Sequence, residues 1–524
     1  MKNDVVVIVI GGGFAGIMAA RRAQAEGARV ILIDRGSIGM GTNSALANGV
    51  FSSPTSLYSS EEYIKDTLEI GRMINDKALV TLVGQNAFNS IEYLNSLGIT
   101  VVESSKIYYV VKSPRPEVLP GVVLMKALAE MIKHQDSISI MTGFYVSEIL
   151  SRGGLAYGIR GFNKVGQEMQ ISASAIVLAT GGAGAIYSRN DNQRNMMGQG
   201  YYLSSLAGLN LWDMEFVQFI PIVIAEPHLP SILLNSPFPE EVKLINAQGE
   251  DVLKKYDIDN LNYAVRNRRD ELSILLFNES QVNTVFIDYQ NVPSSSWDVH
   301  PLSLLKKIKF DFRAKPLAIS PGAHFFMGGV KTDLSGHTSL PGLFACGELA
   351  WGLHGANRRG GNALTECVVL GEVAGKSAAQ YALKNPSDFT IKEGNNTYIT
   401  HKSSPVNQLT ELRGKIRNIA WNYAGVVRSE SALKKGLLEL QEIHKQLGSI
   451  SVKDIQHHIV KEDLKSASFV LRNIITASIG RCESRGSFYR SDYPKEDNEN
   501  WLKNSCLQYD KMKDEFILSH YPIQ

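Results

Sequence analysis

VVVIVIGGGFAGIMAARRAQAEGARVILIDRG, residues 5–36, is the stretch whose reading decides the fold. Val5–Ile10 is an apolar run of strand length, Gly11, Gly13 and Gly16 fit GxGxxG, and VILID is a second strand ending in Asp34. Gly11 permits a tight turn, Gly13 lets a pyrophosphate approach the backbone, and Gly16 allows the following helix to pack close to the strand. That helix begins with free N–H groups and the positive end of its dipole, which favour an anion. Asp34 lies 23 residues after Gly11, where a carboxylate accepts hydrogen bonds from ribose hydroxyls. Strand, turn, helix, strand and acid in this order predict a dinucleotide site at the start of the chain.

Around that unit the chain runs to 524 residues, enough for two to four domains at about 100–200 residues each. Its composition, 44% hydrophobic and 20% charged, is that of a soluble globular protein, and a formal charge of +2 points to neither nucleic acid nor an anionic membrane surface. The apolar start is too short to span a bilayer and lacks the basic flank and small-residue cleavage site of a secretion signal. A cytoplasmic protein with no insertion into a membrane is expected. Cys346, Cys367, Cys482 and Cys506 are widely spaced, without the clustering that zinc or an iron–sulfur centre requires, so no metal site is expected in this chain.

The nucleotide-binding pattern covers residues 1–221 and returns in 324–404. ISASAIVLATGGAGAIY supplies a strand and a second glycine turn at Gly181, Gly182 and Gly184, and LPGLFACGELAWGLHGANRRGGNALTECVVLGEVAG reads as strand, glycine-rich loop and helix. Between them, 222–323 is irregular, with prolines at 227, 230, 237, 239 and 293, as an inserted domain would be. From 405 to 524 the periodicity is helical, ending in a polar tail.

GGGFAG, LATGGAGAIY, DMEFVQF, HFFMGG, GLFACGE, HGANRRGGNAL, YAGVVR and ESRGSFYRSDYP occur in fixed order from end to end. Together they resemble the flavoprotein subunits of the succinate dehydrogenase and fumarate reductase family, whose wider kin include L-aspartate oxidase and the adenylylsulfate reductase alpha subunit. The resemblance implies an α/β fold: a Rossmann-like FAD-binding domain interrupted by an α+β capping domain and followed by a helical C-terminal domain. It implies hydride transfer between flavin N5 and a carbon next to a carboxylate, with an arginine handling the proton. Carried over, the FAD contacts are Gly11, Gly13, Phe14, Ala15, Gly16, Asp34 and Arg35; Asn43, Ser44, Asn48 and Gly49; Ala179, Thr180 and Gly181; Asp213 and Glu348; and Asn362, Ala363 and Leu364. The carboxylate-binding histidine of HYxMGG and arginine of HGANR are His324 and Arg358.

Four positions depart from that pattern or are less defined by it. Asn43 stands where membrane-complex members have the histidine that binds FAD covalently, so FAD is expected to be non-covalent. Ile220 replaces the histidine of QFHP, and EPHLPSILLNSPFPEE shows no counterpart of the threonine and glutamate in TExxRGEGG. Isoleucine cannot hydrogen-bond a second carboxylate, whose burial without partners costs several kcal/mol, so a plain dicarboxylate is disfavoured. RDELSI places Ile274 where the family's proton-relay arginine is expected, with Arg266, Arg268 and Arg269 a small shift away. Trp351 is a candidate for packing near the flavin or substrate, or for a buried structural role.

The leading reading is therefore an FAD-dependent oxidoreductase for a small anionic substrate other than a simple dicarboxylate, exchanging electrons with an iron–sulfur or ferredoxin-like partner. A stand-alone enzyme resembling L-aspartate oxidase or the soluble fumarate reductases is the second reading. A flavin-holding electron-transfer or scaffold subunit with a decayed substrate site is the third.

Overall fold

Five parallel strands form the sheet at the centre of the nucleotide-binding part, in the order Leu343–Ala345, Ala175–Leu178, Val6–Ile10, Arg29–Asp34, Ile138–Thr142. They come from a computed structural model describing residues 5–115, 117–298, 302–307, 310–311, 313–396, 406–452 and 454–523. Both faces of a parallel sheet are covered, which is why these strands are continuous apolar runs rather than alternating ones. Val7, Val9, Val30 and Leu32 face the first helix, Phe14–Ala25, within one core. Ile8, Ile10, Ile31 and Ile33 face the opposite way, into a core shared with Leu471, Ile474 and Ile475 of the C-terminal helices.

The inserted part is an antiparallel sheet, Val217–Ile224, Leu317–Phe326, Val285–Asp288 and Lys243–Asn246, covered by the cap helix Arg269–Val282. It has its own core, including Leu244, Leu272, Leu276, Ile287 and Leu317. The expected junctions at 221/222 and 323/324 fall inside the first two of these strands, so two paired strands carry the chain into the cap and back. The expected junction at 404/405 lies outside the described residues.

Beyond it come three helices, Val406–Ala424, Glu430–Ser449 and Ile455–Gly480, in keeping with the helical periodicity. The expected polar tail is instead a β-hairpin, Lys503–Asp510 with Glu515–Pro522, which joins Leu211–Trp212 and Gly329–Val330 in a four-stranded sheet. Its KMKD turn and polar residues hide the strand signal, while Asn504, Ser505, Cys506 and Leu507 are buried, on both faces of the strand. Buried ion pairs fasten this segment: Arg481 bonds Glu215 at 2.7 Å and Glu483 at 2.8 Å, and Arg485 bonds Glu483 at 2.7 Å. The DMEF and ESRGSFYR motifs thus meet each other in the interior.

The long helix Asn362–Lys384 lies directly on the first helix. A Cβ on Gly371 would sit 2.7 Å from the Ala15 carbonyl oxygen, and one on Gly375 would sit 2.2 Å from that of Ala19. Gly375→Val should therefore force the two helices apart, an overpacking that costs about 1–3 kcal/mol or more. A lowered melting temperature together with lowered FAD content is the expected result, and an unchanged melting curve would show that the helix contact is not as tight as described.

Candidate active site

A cavity of about 1970 Å³ opens at the carboxyl ends of the central strands, beneath the cap. Gly11, with φ +115°, begins the turn at its floor; a Cβ there would lie 2.1 Å from the Ala179 carbonyl oxygen, and one on Gly16 would lie 1.9 Å from that of Gly11. Both glycines are required by close backbone approach. The first helix and the long helix start at this cavity with Gly13 and Gly361 as N-caps and no side-chain cap bond. Five other helices are capped by the side chains of Ser59, Asp76, Asn260, Ser429 and Asp454, while Pro120–Lys133, Gln199–Leu206 and Arg269–Val282 also start without a side-chain cap. At the first helix, Ser44 Oγ accepts a bond from the Phe14 N–H at 3.2 Å.

Asp34 holds the turn from its far side, accepting the N–H of Gly12 at 2.7 Å and of Gly36 at 2.6 Å. Burial raises its pKa against the pull of those two bonds. Asn43 is fixed on the wall: its Nδ2 donates to Asn192 at 2.6 Å and its Oδ1 accepts the Gln193 N–H at 2.9 Å. Glu348 Oε1 accepts the Phe326 N–H at 3.0 Å, and burial pushes its carboxyl up to about 7. Glycine N–H groups, two helix starts without side-chain caps and an acid at the end of the second strand together fit an FAD pyrophosphate, ribose and flavin ring.

Of the expected cofactor contacts, Gly11, Gly13, Phe14, Ala15, Asp34, Arg35, Asn43, Ser44, Asn48, Ala179, Thr180, Gly181, Glu348, Ala363 and Leu364 line the cavity. Gly16, Gly49, Asp213 and Asn362 do not. Gly49 makes a positive-φ turn packed on Pro120, and the Asn362 side chain accepts the Tyr63 hydroxyl at 3.0 Å behind the wall. Asp213 is turned into the interior, where it accepts bonds from Trp351 Nε1, Asn504 Nδ2 and the Ser505 N–H at 2.6, 2.6 and 2.8 Å. Trp351 is accordingly structural: it lies against Trp212, away from the flavin cavity.

At the cap end, the strand Leu317–Phe326 presents His324, whose Nδ1 bonds Asp191 at 2.8 Å. A carboxylate at Nδ1 fixes that nitrogen as the donor and leaves Nε2 for a ligand. Arg358, 6% exposed, comes from the loop before the long helix. Its Nε donates to Gln218 at 3.1 Å, its Nη1 donates to the Arg359 carbonyl at 3.3 Å, and its guanidinium lies 4.7 Å from the Phe325 ring centre. Burial, and then Arg269, lower its pKa to about 10, so it stays charged at neutral pH. Among the described residues it has no carboxylate partner.

Of the arginines near position 274, Arg269 is the one whose side chain is held at the cavity by Asn357. Ile274 packs into the main core, whereas Arg269, at the start of the cap helix, lines the cavity. Its Nη2 donates to Asn357 Oδ1 at 2.5 Å and to the Arg358 carbonyl at 3.3 Å, and its Nε lies 3.6 Å from Asp270. Arg268 points elsewhere, to Glu271, and Arg266 bonds Ser236 at the exposed rim. Ile220 lines the cavity as expected, with Leu229, Leu233 and Val265 continuing an apolar wall. Asp191, Gln218 and Asn357 escaped the sequence reading, although the last two sit inside the quoted QF and HGANR strings.

The FAD-binding domain family matches residues 6–364, and the fumarate reductase flavoprotein C-terminal family matches residues 413–524. The chain belongs to the succinate dehydrogenase and fumarate reductase flavoprotein family. It is an FAD-dependent oxidoreductase. It is 28% identical to an uncharacterized FAD-dependent oxidoreductase of Methanocaldococcus jannaschii, over 98% of this chain and 97% of the relative. One of the subunits of the CoM/CoB fumarate reductase of Methanothermobacter marburgensis is 27% identical, with 98% of each chain covered. Among solved structures, a quinol-fumarate reductase with menaquinol molecules superposes with a TM-score of 0.87 at 23% identity, over 99% of this chain and 98% of that one. No helix among the described residues is long and apolar enough to cross a membrane.

Glu348 gives the site a pH signature. Its folded pKa of about 7 lies above its ordinary value of 4.5, so the native state holds the proton more tightly than the unfolded chain. Stability of the flavin-free protein should fall as pH rises from about 4.5 to about 7 and level off above that, with Asp213, also raised to about 7, adding to the slope. Glu348→Gln should flatten part of this fall in denaturant titrations across that range; an unaltered slope would place the titrating group elsewhere.

Proposed function

We propose that this protein transfers a hydride between non-covalently held FAD and a substrate bearing one carboxylate or similar anion beside the reacting carbon, with an apolar remainder. The supporting observation is Arg358, a buried guanidinium that lines the cavity with no carboxylate partner among the described residues, as does His324 in the same cavity. Bound FAD supplies the hydride-exchanging N5. Arg358 offers a planar fork that clamps a carboxylate through two parallel bonds, and His324, whose Nδ1–H is held by Asp191, adds a third donor at Nε2 when its ring is an imidazolium. Ile220, Leu229, Leu233 and Val265 offer an apolar surface to the rest of the substrate, and Ile220 itself gives a second anion no hydrogen bond. Arg269, pinned by Asn357 and flanked by Asp270, is placed to pass a proton to or from the carbon next to the one that exchanges hydride. The cap excludes water and aligns the reacting carbon.

Asn43 supports non-covalent FAD, since a primary amide cannot make the bond that histidine makes. A partner with an iron–sulfur centre is favoured by the four dispersed cysteines of this chain and by the subunit designation of its methanogen relative.

Arg358→Ala should leave FAD content and folding unchanged while removing charge-assisted hydrogen bonds of about 1.5–3 kcal/mol each, so that anion affinity falls tenfold to a hundredfold or more. Arg358→Lys should recover part of this loss, because the ammonium keeps the charge without the fork. The measurement is a monocarboxylate titration of the flavin spectrum at equal FAD loading. Equal affinity in the wild type and both variants would remove Arg358 from the anchoring role.

A further inference from the structure

Arg35 is held differently from the other arginines that line the flavin cavity. Its Nη1 and Nη2 donate to Oδ1 and Oδ2 of Asp463 at 2.7 Å each, a planar two-bond clamp. Among the described residues, the carboxylate pairs of the cavity's other arginines are longer: 3.9 Å for Arg72 with Glu496, 3.6 Å for Arg269 with Asp270 and 3.5 Å for Arg359 with Asp66. Asp463, 5% exposed, comes from the C-terminal helix Ile455–Gly480, 428 residues further along the chain. The Tyr145 hydroxyl donates to the same carboxylate at 3.4 Å, and the Tyr145 ring centre lies 5.0 Å from the guanidinium carbon of Arg35. Phe144 and Val146 line the cavity and Tyr145 does not, so Tyr145 covers the guanidinium from behind.

This clamp stands at the adenosine end of the cavity. Arg35 follows Asp34, the acid that closes the second strand, and the Asp34 carbonyl accepts the Phe144 N–H at 3.3 Å. A guanidinium whose edge is taken by a carboxylate and one of whose faces is taken by a ring keeps its other face for stacking on an aromatic base. The carboxylate also discharges it, so stacking rather than attraction to phosphate makes the contact. We propose that Asp463 is a positioning residue for the adenosine half of FAD, acting through Arg35, and that it thereby couples cofactor loading to docking of the C-terminal helices on the nucleotide-binding domain. FAD as cofactor is enough for this role, which is independent of the substrate held at Arg358. Coupling of this kind is reciprocal: what the nucleotide gains from the helix, the helix gains from the nucleotide.

The test uses the flavin-free full chain from riboflavin-starved cells, with ADP and inorganic pyrophosphate as probes in calorimetric titrations. Pyrophosphate senses the charge around the glycine turn but not the face of Arg35, so the ratio of the two dissociation constants isolates the adenosine contact. In the wild type ADP should bind at least about thirtyfold more tightly than pyrophosphate. Asp463→Asn, which offers Arg35 one acceptor in place of two, should lower that ratio at least about fivefold, and Asp463→Glu should restore part of it. Arg35→Lys should lower it as well, because an ammonium keeps the charge and lacks the planar face. Hydrogen exchange reads the coupling from the other side: ADP should slow amide exchange in Ile455–Gly480 around Asp463 at least about threefold in the wild type and leave it unchanged in Asp463→Asn. A ratio that stays within about twofold of the wild type in folded Asp463→Asn would overturn the proposal, as would exchange in the wild-type helix that is indifferent to ADP. Should Asp463→Asn lose its fold, Arg35→Lys takes its place in both measurements, and an unchanged ratio there overturns the proposal equally.

Discussion

Because Gly371 and Gly375 carry no side chains, the long helix lies on the backbone of Ala15 and Ala19, and two helix starts without side-chain caps are brought to one cavity. The rest of the site is positioned by this contact. The first helix offers its N–H groups beneath the glycine turn, and the long helix offers those of Ala363 and Leu364. Gly361, with φ +85°, turns the chain sharply just before the long helix, and a Cβ there would lie 2.6 Å from the Ser52 nitrogen. The loop bearing Asn357, Arg358 and Arg359 is therefore held in one course, so the anion anchor and the cofactor cradle share a single scaffold.

The same cation serves two purposes, distinguished by its partners. In the C-terminal segment, fully buried Arg481 and Arg485 are saturated by Glu215 and Glu483. Breaking such a pair leaves a bare charge in the interior, costing about 3–5 kcal/mol, so these arginines fix the chain in place. Arg358 is as deeply buried but bonds Gln218 and a carbonyl, neutral groups that orient a guanidinium without discharging it. Arg428, also buried without a carboxylate, is held by the Gly425 and Glu215 carbonyls and Ser478 Oγ away from the cavity, so it is the lack of a counter-ion together with access to the cavity that sets Arg358 apart.

The nucleotide-binding unit was legible in residues 5–36 because strand, turn and helix follow local rules of spacing. His324 and Arg358 were legible through their strings, and both line the cavity. The errors have local causes. Ile274 lies five residues from Arg269 on one helix, a rotation of about 140°, which sets the first on the core face and the second on the cavity face, a choice that the string RDELSI left open. Asp213 has a positive φ of +53°, a turn that swings its carboxylate inward to Asn504 and Ser505, partners nearly three hundred residues away that no local pattern reveals. The terminal hairpin was hidden for a similar reason, since its pairing with Leu211–Trp212 is long-range.

The central claim is that the cleft holds one anionic group at Arg358 and an apolar remainder at Ile220. Comparative titration of the FAD-loaded protein with crotonate, an unsaturated monocarboxylate, and with fumarate tests it most directly. The account predicts that crotonate perturbs the flavin spectrum saturably and binds more tightly than fumarate, despite carrying the smaller charge. Tighter binding of fumarate would contradict it.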